Sequence, residues 1–159
     1  MVTLKKVPVS DRNTLWNMVQ KYFYELSAIY DMEMDAAGNY EYRYFDSYFE
    51  QPGRTALFIC HDRTRIGFAL INNFSCLGDS IEYAVAEFTI FPRYRHRHFA
   101  AEAVRQLFRT YPGKWEIKYS RRNPAAETLW KNAVREYTPG VSRYGETECV
   151  LSFTVPRIG

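Results

Sequence analysis

Apolar positions change their spacing several times along the chain. Residues 2–9 have the pattern of a short edge strand that ends near Pro8, because proline cannot donate to a sheet ladder. Ser10 or Asp11 can then cap a helix in which apolar residues recur at spacings of three and four. These residues are Leu15, Met18, Val19, Tyr22, Leu26, Ile29 and Tyr30. The polar and aromatic segment 31–53 predicts a second, short helix.

From residue 56 the period becomes that of strands. Apolar runs predict strands over 57–60, 66–74 and 81–91, joined by hairpin turns at 61–65 and 77–79. A helix is expected from Phe99 to just before Pro112, and the alternation of Trp115, Ile117 and Tyr119 predicts another strand. Asn123 then caps a helix that has Pro124 at its first position and runs to about residue 135. Residues 139–145 are rich in turn-forming types, and alternation over 149–155 predicts a closing strand.

This order of elements predicts an α/β fold of the mixed-sheet type, with about six to seven strands flanked by about four helices. The connection between the fourth and fifth strands resembles a βαβ crossover. The chain has 159 residues, of which 47% are hydrophobic. That length and composition predict a single domain over residues 1–159.

Charge and cysteine content exclude several classes of function. A formal net charge of +3 is small, so nucleic-acid binding is not expected, and no apolar run is long enough for a membrane span. Cys60, Cys76 and Cys149 are widely spaced and odd in number, which predicts reduced core thiols in a cytoplasmic protein. The three histidines show no ligand spacing with carboxylates, so no metal site is expected.

Basic residues occupy an unusual place between the strand that ends near residue 91 and the helix that follows. Positive side chains at a helix N-terminus oppose the helix dipole. Arg93, Arg95 and Arg97 are therefore expected to hold a bound anion such as a phosphate, together with the free amides of the first helical turn. A solvated basic turn is the alternative explanation.

The strand before this loop changes phase. Ile81, Tyr83 and Val85 share one phase, while Phe88 and Ile90 share the other. A β-bulge near residues 86 and 87 would produce this slip and would leave backbone groups free for a ligand. The alternative is a central strand that is apolar on both faces and has no bulge.

The segment from Glu87 to Ala100 resembles the acetyl-CoA signature of the GNAT (GCN5-related) N-acetyltransferases, Q/R-x-x-G-x-G/A. Arg95 and Ala100 fill the first and last positions of this pattern, His98 stands where the first glycine is usual, and His96 stands where glycine is frequent. Residues 111–117, residues 123–126 and the pair 129–130 also resemble a bacterial subgroup of the family.

The resemblance implies an acyltransferase that moves acetyl from acetyl-CoA directly to a primary amine of a small molecule or peptide, without a metal. A homodimer is compatible with it. Acetyl-CoA would bind along the strand that ends near residue 91, the basic loop after it, and the N-terminal parts of the helices that begin near Phe99 and Pro124. The residues implied are Phe88, Thr89, Ile90, Arg95, His96, Arg97, His98, Phe99, Ala100, Asn123 and Trp130. A module of the same fold that binds acyl-CoA without catalysis, as a sensor, is the alternative.

Direct transfer needs a base, because an amine with a pKa of about 10 arrives protonated. Glu87 is the first candidate and Glu82 the second, although a salt bridge would explain either. The family's tyrosine acid falls at Trp130, whose indole cannot protonate a thiolate. Tyr30, Asp31 and Glu33 are the candidate residues for binding a cationic acceptor, and an ordinary acidic turn is the alternative.

Overall fold

The computed structural model, which describes residues 1–158, is built around a seven-stranded mixed sheet. Its strands lie in the order β1-β2-β3-β4-β5-β7-β6. Only β4 and β5 pair in parallel, and every other neighbouring pair is antiparallel. The strands are β1 Val2–Lys6, β2 Thr55–His61, β3 Thr64–Asn72, β4 Tyr83–Ile90, β5 Gly113–Ser120, β6 Gly140–Tyr144 and β7 Glu148–Val155.

Helices cover both faces of this sheet. They are α1 Arg12–Leu26, α2 Ser47–Glu50, α3 Phe99–Thr110 and α4 Pro124–Val134. On one face, α3 and α4 pack in a core that includes Trp115 and Ile117. On the other, α1 and α2 pack against Phe58 and Leu70. Because side chains of a strand alternate between faces, the central strands β2, β3 and β4 contribute to both cores.

The fold class predicted from the sequence is confirmed. The crossover from β4 through α3 to β5 is present, and β1 lies at the edge of the sheet. Pro124 occupies the first turn of α4, and the side chain of Asn123 accepts a hydrogen bond from the backbone N–H of Ala126 at 3.2 Å. This short polar cap is therefore used as expected.

Four details differ from the expectations. α1 ends at Leu26, so Ile29 and Tyr30 lie beyond the helix whose apolar face they were expected to share. Residues 140–144 form the edge strand β6 instead of a turn, and the exposed Val141 explains why no apolar alternation marked it. Asp11 precedes α1 but its side chain makes no cap. It accepts a hydrogen bond from Arg65 Nη2 at 2.9 Å instead. Cys76 is exposed, whereas the other two cysteines lie in the core as expected.

None of the helices described is long and apolar enough to cross a membrane.

Candidate functional site

A β-bulge interrupts the pairing of β3 with β4. Leu70 lies opposite Glu87 and the next residue, Ile71, lies opposite Val85, so that Ala86 is left without a partner in β3. The phase slip read from the sequence thus has the predicted cause. A continuous strand that is apolar on both faces is excluded. The bulge bends β4 next to Glu87.

Beyond the bulge, β4 also separates from β5. The parallel pairing joins only residues 83–85 to residues 115–117, although both strands continue past these positions. Among the described residues, 86–90 therefore have no partner in β5, and the two strands diverge beyond Val85 and Ile117. Thr89 and Ile90 are buried in this region, and Phe88 is half-buried. Backbone groups of β4 that point into the opening can bind an extended ligand.

Glu87 lies at this opening on the face covered by α1. The hydroxyl of Tyr22 in α1 donates a hydrogen bond to Glu87 Oε1 at 3.2 Å. Burial raises the pKa of Glu87 to about 7, while the hydroxyl of Tyr22, the charge of Lys118 and the hydroxyl of Tyr42 act in the opposite direction. A carboxyl with this pKa exchanges its proton near neutral pH, as a general base must.

Two tyrosines support this carboxyl. Burial raises the pKa of Tyr22 well above its usual range, and the charge of Glu87 acts in the same direction. The same two causes raise the pKa of Tyr42. Both phenols therefore stay protonated. The hydroxyl of Tyr22 donates to Glu87, and that of Tyr42 donates to the hydroxyl of Tyr48 at 3.5 Å. The sequence placed Tyr22 only on an apolar helix face. The hydroxyl of Tyr22 on an otherwise apolar helix face was the one available sign that this residue donates a hydrogen bond in the core.

Glu82, the second candidate base, lies at the other end of β4. Its carboxylate accepts a hydrogen bond from the backbone N–H of Lys114 at 3.2 Å and pairs with the guanidinium of Arg157. The structure therefore does not bring the two glutamates together. The surroundings of Glu82 are those of the salt bridge considered as its alternative.

The loop before α3 has the backbone conformation that glycine favours. His96 and His98 both have φ of +63°, in the left-handed region, and His98 is the residue just before the helix. α3 begins at Phe99. The backbone N–H groups of its first turn, including those of Phe99 and Ala100, lack acceptors inside the helix. The exposed side chains of Arg93 and Arg97 lie in the same loop. These groups together suit a phosphate.

Arg95 has a different role in this loop. Its guanidinium donates to both carboxylate oxygens of Glu25 in α1, at 2.6 and 2.7 Å, and its Nε donates to the carbonyl oxygen of Ile90 at 2.7 Å. The hydrogen bonds from Arg95 lower the pKa of Glu25. The side chain therefore links the loop to α1 and β4, which leaves Arg93 and Arg97 to face an anion.

Two further predicted cofactor residues have structural roles. Asn123 caps α4. Trp130 is buried and packs edge-on against Phe88, with ring centroids 5.2 Å apart. Phe88 belongs to the part of β4 that has separated from β5. Trp130 of α4 therefore packs against one side of the opening.

The candidate acceptor residues follow the end of α1. Tyr30 is half-buried and its phenol is close enough to Tyr22 to affect the pKa of that residue. Asp31 and Glu33 are exposed. The guanidinium of Arg122 donates to the carbonyl oxygen of Ile29, which ties this segment to the turn after β5. Tyr30 thus lies near Tyr22, the residue that contacts Glu87, whereas the two acidic residues lie at the surface.

Solved structures of acetyltransferases have the same fold. The chain superimposes on an acetyltransferase from Thermus thermophilus with a TM-score of 0.72 at 14% identity, covering 98% of this chain and 97% of that one. An aminoglycoside acetyltransferase in complex with coenzyme A and kanamycin matches with a TM-score of 0.67 at 15% identity, covering 97% and 95%. Spermidine N-acetyltransferase from Vibrio cholerae, in complex with CoA and spermine, matches with a TM-score of 0.60 at 13% identity, covering 97% and 95%.

Other matches are described as acetyltransferases of the GNAT family. No protein-family model matches the sequence, and no curated protein matches it by sequence. The chain therefore has the GNAT fold that the resemblance implied, and it shares that fold with proteins of low sequence identity.

Proposed function

We propose that the protein is a GNAT-type N-acetyltransferase that transfers acetyl from acetyl-CoA to a primary amine of a small molecule or peptide. The observation that carries this proposal is the position of Glu87. Its carboxyl, with a pKa raised to about 7, lies at the bulge where β4 separates from β5. A proton acceptor is thereby placed beside backbone groups that can bind an extended cofactor.

The residues around the opening fit acetyl-CoA. Free strand edges over residues 86–90 suit the amide-containing arm of the cofactor. The N-terminus of α3, with Arg93 and Arg97, suits its pyrophosphate. The left-handed backbone at His96 and His98 lets the loop turn into the helix as a glycine would.

The chemistry assigns one role to each group. When bound, acetyl-CoA supplies a thioester whose C–S bond breaks as the C–N bond to the amine forms, with coenzyme A leaving as the thiolate. Glu87 takes the proton that the amine loses, and Tyr22 holds the carboxylate by its hydrogen bond. A coenzyme A thiolate is a stable enough leaving group for solvent to protonate it, since thiols titrate near ~8.5. Trp130 therefore has no acid role to fill.

Calorimetry with acetyl-CoA, followed by a thiol-release assay over a panel of amines, tests the proposal. We expect saturable binding and release of coenzyme A that depends on an amine. Arg97→Glu should weaken acetyl-CoA binding about ten- to hundredfold, because one charge-assisted hydrogen bond to phosphate is lost and a repulsive charge is added. Arg105→Glu is the matched control, since Arg105 is an exposed arginine of the helix that follows this loop.

The outcomes separate the alternatives. Absence of acetyl-CoA binding, or equal effects of the two arginine variants, would contradict the proposed cofactor site. Binding without acetylation of any amine in the panel would instead favour the sensor function of an acyl-CoA-binding module.

A further inference from the structure

Lys118 lies across the opening from Glu87. The last residues of β4 and β5 that pair are Val85 and Ile117, and Lys118 is the next residue on β5. Ile117 packs in the core beneath α3 and α4. Because side chains alternate along a strand, Lys118 points to the opposite face, where Tyr22 of α1 contacts Glu87. The side chains of Lys118 and Glu87 thus extend from the same face of neighbouring strands where the gap begins, and the ammonium group inclines toward β7 and β6.

The partners of Lys118 hold it loosely. Its Nζ lies 3.6 Å from Glu148 Oε2, and the two side chains are 38% and 33% exposed. It also lies 5.1 Å from the ring centroid of Tyr144. A long, partly exposed ion pair of this kind contributes little stability, so an anion of a ligand can compete with Glu148.

A second carboxylate, two residues before Lys118 on β5, already has hydrogen-bond donors for both of its oxygens. Glu116, buried on β5, accepts hydrogen bonds from Ser75 Oγ and from the backbone N–H of Cys76, each at 2.6 Å. It holds the loop after β3 against β5 and offers no free oxygen to a ligand. The charge of Lys118 also favours the ionised form of Glu87 and so lowers its pKa.

We propose that the acceptor is a zwitterion, whose amine is deprotonated by Glu87 and whose carboxylate binds Lys118. This inference rests on the proposed function and specifies the substrate class of that site. An amine and a carboxylate separated by a few carbon atoms, as in an amino acid, match a carboxyl group and an ammonium group on the same face of neighbouring strands. The positive charge of Lys118 also acts against a second ammonium group, and therefore against polyamine acceptors.

Matched pairs of acceptors test this inference. The thiol-release assay compares amino acids with the amines that lack only the carboxylate, and includes spermine as a polyamine. The assay is run at about pH 9, because Glu87 is ionised there both in the wild type and in a variant that lacks the charge of Lys118. A change in the pKa of Glu87 then does not affect the comparison. The wild-type protein should prefer each zwitterion by about ten- to hundredfold in kcat/KM, the value of one charge-assisted hydrogen bond.

Lys118→Met should remove this preference, by lowering kcat/KM for the zwitterions while leaving it nearly unchanged for the decarboxylated amines. Lys114→Met is the matched control, because Lys114 is an exposed lysine on the same face of the same strand. Its kinetics should equal those of the wild type.

Two results would overturn the inference. One is a wild-type protein that acetylates the decarboxylated amines or spermine as efficiently as the zwitterions. The other is a Lys118→Met variant that loses activity equally on both members of each pair. Failure of every amine to be acetylated would contradict the proposed function itself, and is therefore distinct from either result.

Discussion

Glu87→Gln keeps the size and shape of the side chain but removes its charge and its capacity to accept a proton. The carboxyl is held in a site where burial raises its pKa to about 7. The same burial that makes the group a useful base also makes its charge costly in the folded protein. We therefore expect the variant to lose activity and to gain stability, with both effects depending on pH.

The loss of activity follows from the ionised fraction of Glu87. A positioned general base contributes about 10²- to 10⁴-fold to the rate. Well below the pKa of about 7, the wild-type carboxyl is protonated and its activity falls about tenfold per pH unit. The difference between wild type and variant should thus be largest above neutral pH and should shrink in acid.

The gain in stability comes from the same raised pKa. The pKa of Glu87 is about 7 when folded and near its ordinary 4.5 when unfolded, so between these values the folded state binds more protons. Stability therefore falls as pH rises through this window. The difference corresponds to about 3 kcal/mol. Glutamine carries no such cost.

Urea unfolding and acetyl-transfer rates, measured on the same samples from about pH 4 to about pH 9, test both expectations. Glu50→Gln is the control, since Glu50 is an exposed carboxylate of α2 on the same side of the sheet. A stability difference that does not grow with pH would refute the burial of the charge. A rate difference that does not grow with pH would remove Glu87 as the base.

Three other substitutions test neighbouring features. Tyr22→Phe removes the hydroxyl that lowers the pKa of Glu87, so the midpoint of the pH profile of kcat/KM should move upward by about one pH unit, and an unmoved midpoint would contradict the contact. His98→Gly should stabilise the protein by about 0.5–1 kcal/mol in urea unfolding, because glycine adopts a φ of +63° without strain. Asn123→Ala should destabilise it by about 1 kcal/mol, since the N–H of Ala126 loses its acceptor, and equal stability would rule out the cap.

Local patterns predicted most of the fold. Alternation and three-four spacing located the main strands and helices, because each reports which face of an element is buried. The cap at Asn123 and the bulge at Ala86 were also readable, since both depend on residues that are adjacent in sequence. The edge strand β6 was not, because its exposed residues carry no apolar pattern.

Contacts between distant residues were beyond the reach of these patterns. Tyr22 and Glu87 are 65 positions apart, so their hydrogen bond depends on how α1 packs across the sheet. The same is true of Asp11, which pairs with Arg65 instead of capping α1. The position of Lys118, one residue past the last pair between β4 and β5, depends on where the two strands stop pairing, and neither strand's own sequence shows this.

The loop before α3 explains how a fold can persist where its sequence signature is weak. The family pattern has glycines because the backbone there must adopt positive φ and turn its amides toward a phosphate. In this chain His96 and His98 adopt that conformation at φ of +63°, at a cost of about 1–2 kcal/mol each. Such a cost is tolerable in a domain whose other elements agree with the fold. A search for glycines misses this loop, whereas His96 and His98 give its backbone the conformation that glycines would adopt.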